Sequence, residues 1–355
     1  MDKNALVETA CQELMTYGVW DRKSRLKYWI KKYLLKRPAT PEDLVFWPTG
    51  LLAAGLWQCR QEGSDAEAAL LDLVLQVYYE RWIDKGCRIL WLDDLLAGET
   101  LLSLYEDHRC AGQKDSLITE EDMERYGAAI EKLASYALEH PTDEIGSFLY
   151  RARQNNGFVF VDSIGLACPF LYRYGVAFDR QESMELAVKQ IVNFLAYGMD
   201  AVTGLPYHGF SIADDCKYGI IGWGRAVGWL LRGMSGSMTT QYGRERLEES
   251  YIKAVDAAIA FQRRDGYFAW QLQAVEGPAD TSATGMICAA LRQGIELGIL
   301  QDTKYERALQ EGRAAVEKAA REGRVYQCSG ECEGFGQYPQ RYGAYPWALG
   351  PALML

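Results

Sequence analysis

Apolar residues recur at helical spacing through most of the chain. Two clear examples are the runs Met184, Val188, Ile191, Leu195 and Ile252, Val255, Ile259. Spacing of three or four residues places such side chains on one helix face. We predict helices at about 4–17, 23–36, 43–61, 65–83, 91–107, 120–139, 163–175, 181–199, 223–237, 245–263, 281–298, 303–321 and 343–354. Alternating strand patterns are almost absent, and the one short extended piece expected is 157–161, after Asn155-Asn156.

The number and order of these helices predict the architecture. Turn signals such as Asp265-Gly266 separate the helices, but no long linker or low-complexity segment divides the chain. A solenoid would show a sequence repeat of fixed period, and none is found. About twelve helices of three to five turns fit a closed ring of six hairpins. We therefore expect an all-α fold, an (α/α)6 barrel, with residues 1–355 forming a single domain.

Composition and charge narrow the classes of partner. The chain has 355 residues, 49% of them hydrophobic, and a net charge of −10. A nucleic acid or an anionic membrane would require a basic face, so neither is expected. The charged N-terminus and the absence of an 18-residue apolar run predict a cytoplasmic protein.

Cysteine and histidine counts argue against a disulfide framework and against a metal. Nine cysteines, an odd number, are scattered through predicted helices, which is typical of reduced thiols. Cys328 and Cys332 form the closest pair, but the chain has only three histidines and none lies near that pair. No metal and no organic cofactor is therefore indicated. The 22 tyrosines and 10 tryptophans would suit a sugar-binding cleft or an ordinary core equally.

Asp162 is the most informative single residue, because it interrupts an apolar run. Its neighbours in that run are Phe158, Phe160, Ile164, Leu166 and Phe170. A buried wall disfavours the charged form of a carboxyl group, and a general acid that works near neutral pH needs that property. A competing interpretation is that Asp162 caps the helix beginning at Ser163. Taken alone, the segment favours the cap.

Further polar and aromatic residues fall at predicted loop-to-helix junctions. They occur in the segments 46–50, 92–98, 203–209 and 222–229. These motifs resemble the unsaturated uronyl hydrolases of glycoside hydrolase family 105 and, more distantly, family 88. The matching patterns are Leu-Asp-x-x-x-Ala-Gly (92–98), aromatic-x-Asp-x6-Pro-Phe (160–170), Thr-Gly-Leu-x-Tyr-His (203–208) and Trp-x-Arg-x-x-Gly-Trp (223–229), followed by weaker likenesses at 266–270, 280–285 and 342–351. The resemblance runs from about residue 44 to the C-terminus.

The resemblance implies the same helical barrel and a hydrolase that removes a 4,5-unsaturated uronic acid from lyase-generated oligosaccharides, such as unsaturated galacturonyl-rhamnose from pectin. In that chemistry the double bond is hydrated, with no direct attack on the glycosidic bond. Asp162 is then the general acid/base and Asp93 the second carboxylate; Asp94 is turned about 100° away on a helix. The substrate-binding residues implied are Trp47, Tyr150, His208, Trp223, Arg225 and Trp229, with Arg225 as the partner of the substrate carboxylate.

Three positions depart from the family pattern and are expected to line the cleft where it meets the second sugar. They are Pro48-Thr49, Tyr150 and 210–212. Asp214 and Asp215 follow the last of these, and we interpret them as a solvated loop pair. A surface or interhelix salt bridge remains open for Arg225, and a structural role remains open for His208.

Two other functions remain open. One is an ordinary inverting glycosidase on the same barrel, with one acid and one base flanking a water. The other is a non-catalytic carbohydrate-binding barrel, although such a protein would not need Asp93, Asp162 and Arg225 together. The expected partner is an oligosaccharide with an unsaturated uronate, and the protein is expected to be a monomer or homodimer.

Overall fold

The computed structural model describes residues 2–17, 22–35, 45–111, 119–151 and 157–355. Its α-helices there are Lys3–Thr16 (α1), Arg22–Trp29 (α2), Trp47–Glu62 (α3), Asp65–Ile83 (α4), Leu96–Ala111 (α5), Glu120–Leu138 (α6), Asp162–Ala177 (α7), Gln181–Tyr197 (α8), Gly224–Gly236 (α9), Gln241–Ile259 (α10), Thr281–Glu296 (α11), Thr303–Ala319 (α12) and Pro346–Leu353 (α13). A π-helix, Ile30–Leu34, follows α2, and a 3-10 helix, Leu92–Leu95, precedes α5.

Six of these helices close a ring. Each of α3, α5, α7, α9, α11 and α13 packs against the next, and α13 returns to α3. The helices α4, α6, α8, α10, α12 and α1 lie outside and pack against this inner ring. This arrangement confirms the predicted (α/α)6 barrel. The helix α2 and the π-helix form no part of the ring, and they expose Leu26, Trp29 and Tyr33.

The inner helices all begin at the same end of the barrel. The outer helices α4, α6, α8, α10 and α12 each return the chain between two successive inner helices, so the six inner helices run in one direction. The first residues of these helices include Trp47 on α3, Asp162 on α7 and Arg225 on α9. Their N-termini bring a partial positive charge to this end of the barrel.

The strands are short and lie in the loops at the barrel ends. Val159–Phe160 (β1), Gly209–Ser211 (β2) and Cys216–Tyr218 (β3) form an antiparallel sheet in that order. The pairs Ala320–Arg321 (β4) with Arg324–Val325 (β5), and Cys328–Ser329 (β6) with Tyr342–Gly343 (β7), are antiparallel ribbons. The strand predicted within 157–161 is present as β1. The other strands were not predicted, because two or three residues are too few for a period-2 pattern.

The contact between α7 and α9 depends on a glycine. A Cβ atom on Gly165 would lie 2.6 Å from both the ring and the carbonyl oxygen of Trp229. The missing side chain lets the two helix backbones approach closely, and Trp229 is thereby held beside the start of α7.

Candidate active site

A pocket opens at the end of the barrel where the inner helices begin. Its volume is about 240 Å³. It is lined by residues of α3, α7 and α9, of the 3-10 helix before α5 and of the loops and short strands between helices: Trp47, Asp93, Tyr150, Arg151, Phe160, Asp162, Leu166, Trp223, Arg225, Trp229, Glu331, Cys332, Glu333 and Gly334. Seven of the eight residues proposed from the sequence line this pocket, and the eighth, His208, lies directly behind its wall.

Asp162 lies beside His208. The sheet between β1 and β2 brings them together, since the Val161 backbone N–H donates to the His208 carbonyl at 2.9 Å. His208 Nε2 lies 3.2 Å from Asp162 Oδ2, within ion-pair distance but not aligned for a hydrogen bond. The other ring nitrogen, Nδ1, lies 2.9 Å from the Tyr338 hydroxyl. His208 is fully buried, so it contacts Asp162 from behind while the pocket side of Asp162 stays open.

The capping interpretation of Asp162 is wrong. The helix α7 begins at Asp162 itself, and its N-cap is Val161, which makes no side-chain capping bond. Ser163 donates its hydroxyl to the Phe160 carbonyl, which ties the turn before the helix. The Asp162 carboxyl group therefore does not cap the helix.

Asp93 is held by one hydrogen bond and one ion pair at the base of the pocket. Tyr150 donates its hydroxyl to Asp93 Oδ1 at 2.5 Å, and Arg151 Nη1 lies 3.4 Å from Asp93 Oδ2. Burial raises the pKa of Asp93; the Arg151 charge and the Tyr150 hydrogen bond oppose this rise, and the negative charge of Asp162 adds to it. Burial also raises the pKa of Tyr150 well above its ordinary value, so this hydroxyl keeps its proton and remains a donor.

The choice of Asp93 over Asp94 agrees with the geometry. Asp94 Oδ2 accepts from the backbone N–H groups of Leu90 and Trp91, at 2.7 and 3.2 Å. This carboxylate holds the chain before the 3-10 helix, while Asp93 alone of the two lines the pocket.

Arg225 faces the pocket but is also tied to the loop beyond β6. Its Nη1 donates to the Ser329 hydroxyl at 2.5 Å and to Ser282 at 3.2 Å, and its Nη2 donates to the Gly330 carbonyl at 2.6 Å. Asp280 lies 3.8 Å away. The ion pair joins α9 to the start of α11, as the interhelix interpretation expects, and the role of Arg225 as partner of the substrate carboxylate stays a prediction.

Aromatic rings form the remaining walls. Trp47 packs against Trp229 with ring centroids 6.2 Å apart, and Trp223 lies against His208 at 4.6 Å. Tyr150 stacks on Phe160 with centroids 4.5 Å apart and planes only 6° from parallel. This stack fixes the Tyr150 hydroxyl toward Asp93.

Two of the three departures from the family pattern do not line the pocket, which corrects our expectation. Thr49 is buried and accepts from the Tyr78 hydroxyl at 2.8 Å, so the Pro48-Thr49 pair belongs to the helix core. Phe210 is buried against Phe194 and Tyr197. Only Tyr150 reaches the pocket. Asp214 and Asp215 are exposed and lie outside the pocket lining, as interpreted.

Sequence reasoning missed Arg151 and the loop 330–338. The signal for Arg151 was its position next to Tyr150. The loop carries Gly330, Gly334 and Gly336, and a glycine cluster often marks a backbone that passes close to a ligand.

Over the described ranges, no group of three or more histidine, cysteine or carboxylate side chains is placed to hold a metal ion. All nine cysteines are free thiols. None of the helices described here is long and apolar enough to cross a membrane.

The fold and the site together define a helical-barrel enzyme of the glycoside hydrolase class. The family model described as Glycosyl Hydrolase Family 88 matches residues 23–355, and the chain belongs to this family. The unsaturated rhamnogalacturonyl hydrolase YesR of Bacillus subtilis is 24% identical over 337 residues, which cover 90% of this chain and 91% of YesR.

Solved structures share the fold. A possible member of the GH105 family from Salmonella enterica has a TM-score of 0.80 at 18% identity, covering 99% of this chain and 92% of that one. The unsaturated glucuronyl hydrolase from Bacillus sp. GL1, described as responsible for the degradation of glycosaminoglycan, has a TM-score of 0.66 at 15% identity, covering 86% of this chain and 84% of that one. These similarities extend over nearly the whole barrel.

Proposed function

We propose that this protein removes a 4,5-unsaturated uronic acid from the non-reducing end of lyase-generated oligosaccharides by hydrating the double bond. The observation that carries the proposal is the meeting of Asp162, Asp93 and two arginines in one aromatic-walled pocket. The names of YesR and of the Bacillus sp. GL1 enzyme, which both refer to unsaturated uronyl substrates, support it. The preferred substrate is a disaccharide such as unsaturated galacturonyl-rhamnose, a product of pectin breakdown, handled in the cytoplasm.

In this reaction Asp162 acts first as an acid. Its proton goes to C4, the electron pair of the C4=C5 bond forms the new C4–H bond, and positive charge develops at C5, shared with the ring oxygen. Water then adds to C5, and its proton returns to the Asp162 carboxylate. The resulting hemiketal opens to a C5 ketone, and the hemiacetal at C1 releases the second sugar. One water is consumed and no other reactant is needed.

Neighbouring groups tune this proton transfer. Asp93 places a second carboxyl group near Asp162, and two close carboxyl groups resist ionising together. His208, 3.2 Å from Asp162 on the side away from the pocket, orients the Asp162 carboxyl group. In this account His208 is a positioning residue.

The substrate carboxylate is met by positive charge. Arg151 and Arg225 line the pocket, and the N-termini of the inner helices add partial positive charge at the same end. Arg225 is fixed by Ser329 and Gly330, which makes it a rigid donor. Trp47, Trp223 and Trp229 supply apolar faces against which the sugar ring packs.

The first test is ultraviolet absorbance of lyase-generated disaccharides from rhamnogalacturonan, glycosaminoglycans and ulvan. We expect the band of the conjugated double bond to decay with at least one substrate, and Asp162→Asn to lower the rate by about 10³-fold or more. Asp215→Asn, exposed and outside the pocket lining, is the matched control and should keep wild-type turnover.

Two results would contradict the proposal. Wild-type turnover by a folded Asp162→Asn variant would remove Asp162 from the chemistry. If no unsaturated substrate is turned over and a chromogenic saturated glycoside is hydrolysed, the ordinary inverting glycosidase would be favoured.

A further inference from the structure

Two carboxylates that have no role in the proposed reaction lie at the mouth of the pocket. The segment Glu331, Cys332, Glu333 and Gly334, here called the acidic lip, lines the pocket together with Asp93 and Asp162. Glu331 and Glu333 remain exposed to solvent at this mouth. Neither carboxylate has a place in the hydration step, so the lip needs a separate explanation.

The lip is held firmly at its base. The β6–β7 ribbon flanks it, the Gly330 N–H donates to the Arg341 carbonyl at 2.8 Å, and the Gly330 carbonyl accepts from Arg225 at 2.6 Å. Within the lip, the Glu333 N–H donates to the Gln337 carbonyl at 2.9 Å. These bonds fix the chain on both sides of Glu331 and Glu333.

Aromatic contacts hold the far end of the same loop. The Phe335 ring lies on Phe160 with centroids 4.2 Å apart, and Tyr338 packs on Trp223 at 5.5 Å. The lip is thus attached to the wall that carries Asp162, and its charges stay at the pocket mouth.

Negative charges outnumber positive charges around the acidic lip. Desolvation by surrounding atoms raises the pKa of Glu331, and the negative charge of Asp93 raises it further, while Arg225 and Arg151 oppose the rise. In the proposed reaction both arginines face the carboxylate of the unsaturated ring. Within the described part of the chain, no other lysine or arginine lines the pocket to meet a second anion.

We propose that Glu331 and Glu333 form a charge filter for the second sugar, which admits an uncharged sugar and rejects a sulfated or carboxylated one. Their carboxylates accept hydrogen bonds from sugar hydroxyls, whereas a sulfate ester at the same place meets two like charges with no cation. This inference rests on the proposed function and adds the substrate class: unsaturated disaccharides whose second sugar is neutral.

The test uses pairs of disaccharides that differ by one sulfate on the second sugar. One pair is unsaturated uronyl-rhamnose with and without a rhamnose sulfate, and the other is the corresponding pair with an N-acetylated amino sugar. We expect kcat/KM to be at least ~10-fold higher for the unsulfated member of the pair that is consumed. The Glu331→Gln/Glu333→Gln double variant should bring the ratio of the two kcat/KM values to within about threefold of one.

A double variant of equal charge change provides the control. Glu306→Gln/Glu311→Gln removes two exposed carboxylates of α12 that do not line the pocket, and it should keep the wild-type ratio. This comparison distinguishes an effect of charge at the pocket mouth from an effect of the overall negative charge of the protein.

The ratio should also depend on pH. As pH falls through the raised pKa of Glu331, the lip loses charge while a sulfate ester stays ionised, so discrimination should shrink as the assay pH is lowered. The groups that face Glu331 are Asp93, Arg151, Arg225 and Glu333. Both members of a pair use the same catalytic groups, so the ratio reports mainly on the lip.

Three outcomes would overturn the inference. Equal turnover of both members by the wild type, or a preference for the sulfated one, rejects the filter alone. A lip variant that keeps the wild-type ratio rejects Glu331 and Glu333 as its cause. If no unsaturated disaccharide is consumed, the proposed function itself fails, and the inference fails with it.

Discussion

Asp93 illustrates how the ionisation of a buried carboxyl group depends on the groups around it. Burial alone disfavours its ionised form, and Tyr150 and Arg151 restore part of the lost stabilisation. The folded-state pKa remains above the ordinary value, so the stability that Asp93 contributes is present at low pH and is lost as pH rises through that pKa. Placing this carboxyl group next to Asp162 therefore lowers the stability of the folded protein at pH values above the Asp93 pKa.

Tyr150→Phe tests this arrangement. Removing the hydroxyl takes away an influence that lowers the pKa of Asp93, so that pKa should rise further. The acidic limb of kcat/KM should move to higher pH, and the free energy of unfolding should fall by ~1–3 kcal/mol at pH values above the Asp93 pKa and by less below it.

The matched control for this variant is Tyr305→Phe, which removes a tyrosine-to-aspartate hydrogen bond of 2.9 Å to Asp256, outside the pocket. This variant should leave the pH dependence of kcat/KM unchanged. An unshifted profile in Tyr150→Phe as well would show that the Asp93–Tyr150 bond does not set the acidic limb.

The two arginines should differ when they are removed. Arg151 contacts the Asp93 carboxylate and the Trp91 ring, whereas Arg225 also holds Ser329 and Gly330 at the base of the acidic lip. We expect Arg151→Ala to raise KM at least ~10-fold and to lower thermal stability only where Asp93 is ionised, because that carboxylate loses its ion-pair partner. Arg225→Ala should raise KM and also lower the melting temperature, because buried acceptors lose their donor.

Steady-state kinetics and thermal unfolding measure both effects, with Arg264→Ala, an exposed arginine outside the pocket lining, as the control. An unchanged KM in Arg151→Ala would exclude this residue from carboxylate binding. An unchanged melting temperature in Arg225→Ala would show that its internal bonds add nothing to stability.

At the scale of helices, the site depends on close packing between α7 and α9. Gly165→Ala should push the two backbones apart, because the new Cβ would lie 2.6 Å from Trp229 atoms. We expect a loss of ~1–3 kcal/mol in the free energy of unfolding and a lower kcat/KM, since Trp229 lines the pocket. Denaturant unfolding and the absorbance assay measure the two effects.

Gly127→Ala on α6 is the matched control, since a Cβ there would find its nearest neighbour at 3.6 Å. That change should be neutral or stabilising by ~0.5–1 kcal/mol. Equal stability of the two variants would show that the approach of α7 to α9 does not require glycine at 165.

The helices were predictable from the sequence because burial on one face leaves a period of three or four residues. The predicted 65–83 and the observed Asp65–Ile83 coincide, and most other ends differ by a few residues. Loops leave no such period. The acidic lip and Arg151 were therefore missed, and β6 and β7 pair over only two residues each.

Asp162 shows a second limit of the sequence. An aspartate before an apolar helical run has the same pattern whether it caps the helix or faces a pocket. Only the position of Val161 as the N-cap decides between them. His208 likewise became informative once β1 and β2 were seen to bring it behind Asp162.

At the scale of the whole molecule, the barrel explains why distant sequence segments form one site. Residues 47, 93, 162 and 225 lie far apart along the chain, yet each stands at or near the start of an inner helix or of the 3-10 helix before it. A ring of parallel inner helices gathers those starts at one end. The family match over 23–355 covers this entire arrangement. The single domain, the monomer or homodimer and the cytoplasmic location stay predictions.

The most direct test of the proposed hydration follows one hydrogen atom. The reaction is run in D₂O with an unsaturated disaccharide, quenched early, and the product is examined by NMR at C4. Protonation by Asp162 predicts one deuterium at C4 on a single face, formed in step with aglycone release and lost in Asp162→Asn. Release of an intact unsaturated uronate, followed by deuterium on both faces of C4, would show that the glycosidic bond is cleaved directly and would contradict the account.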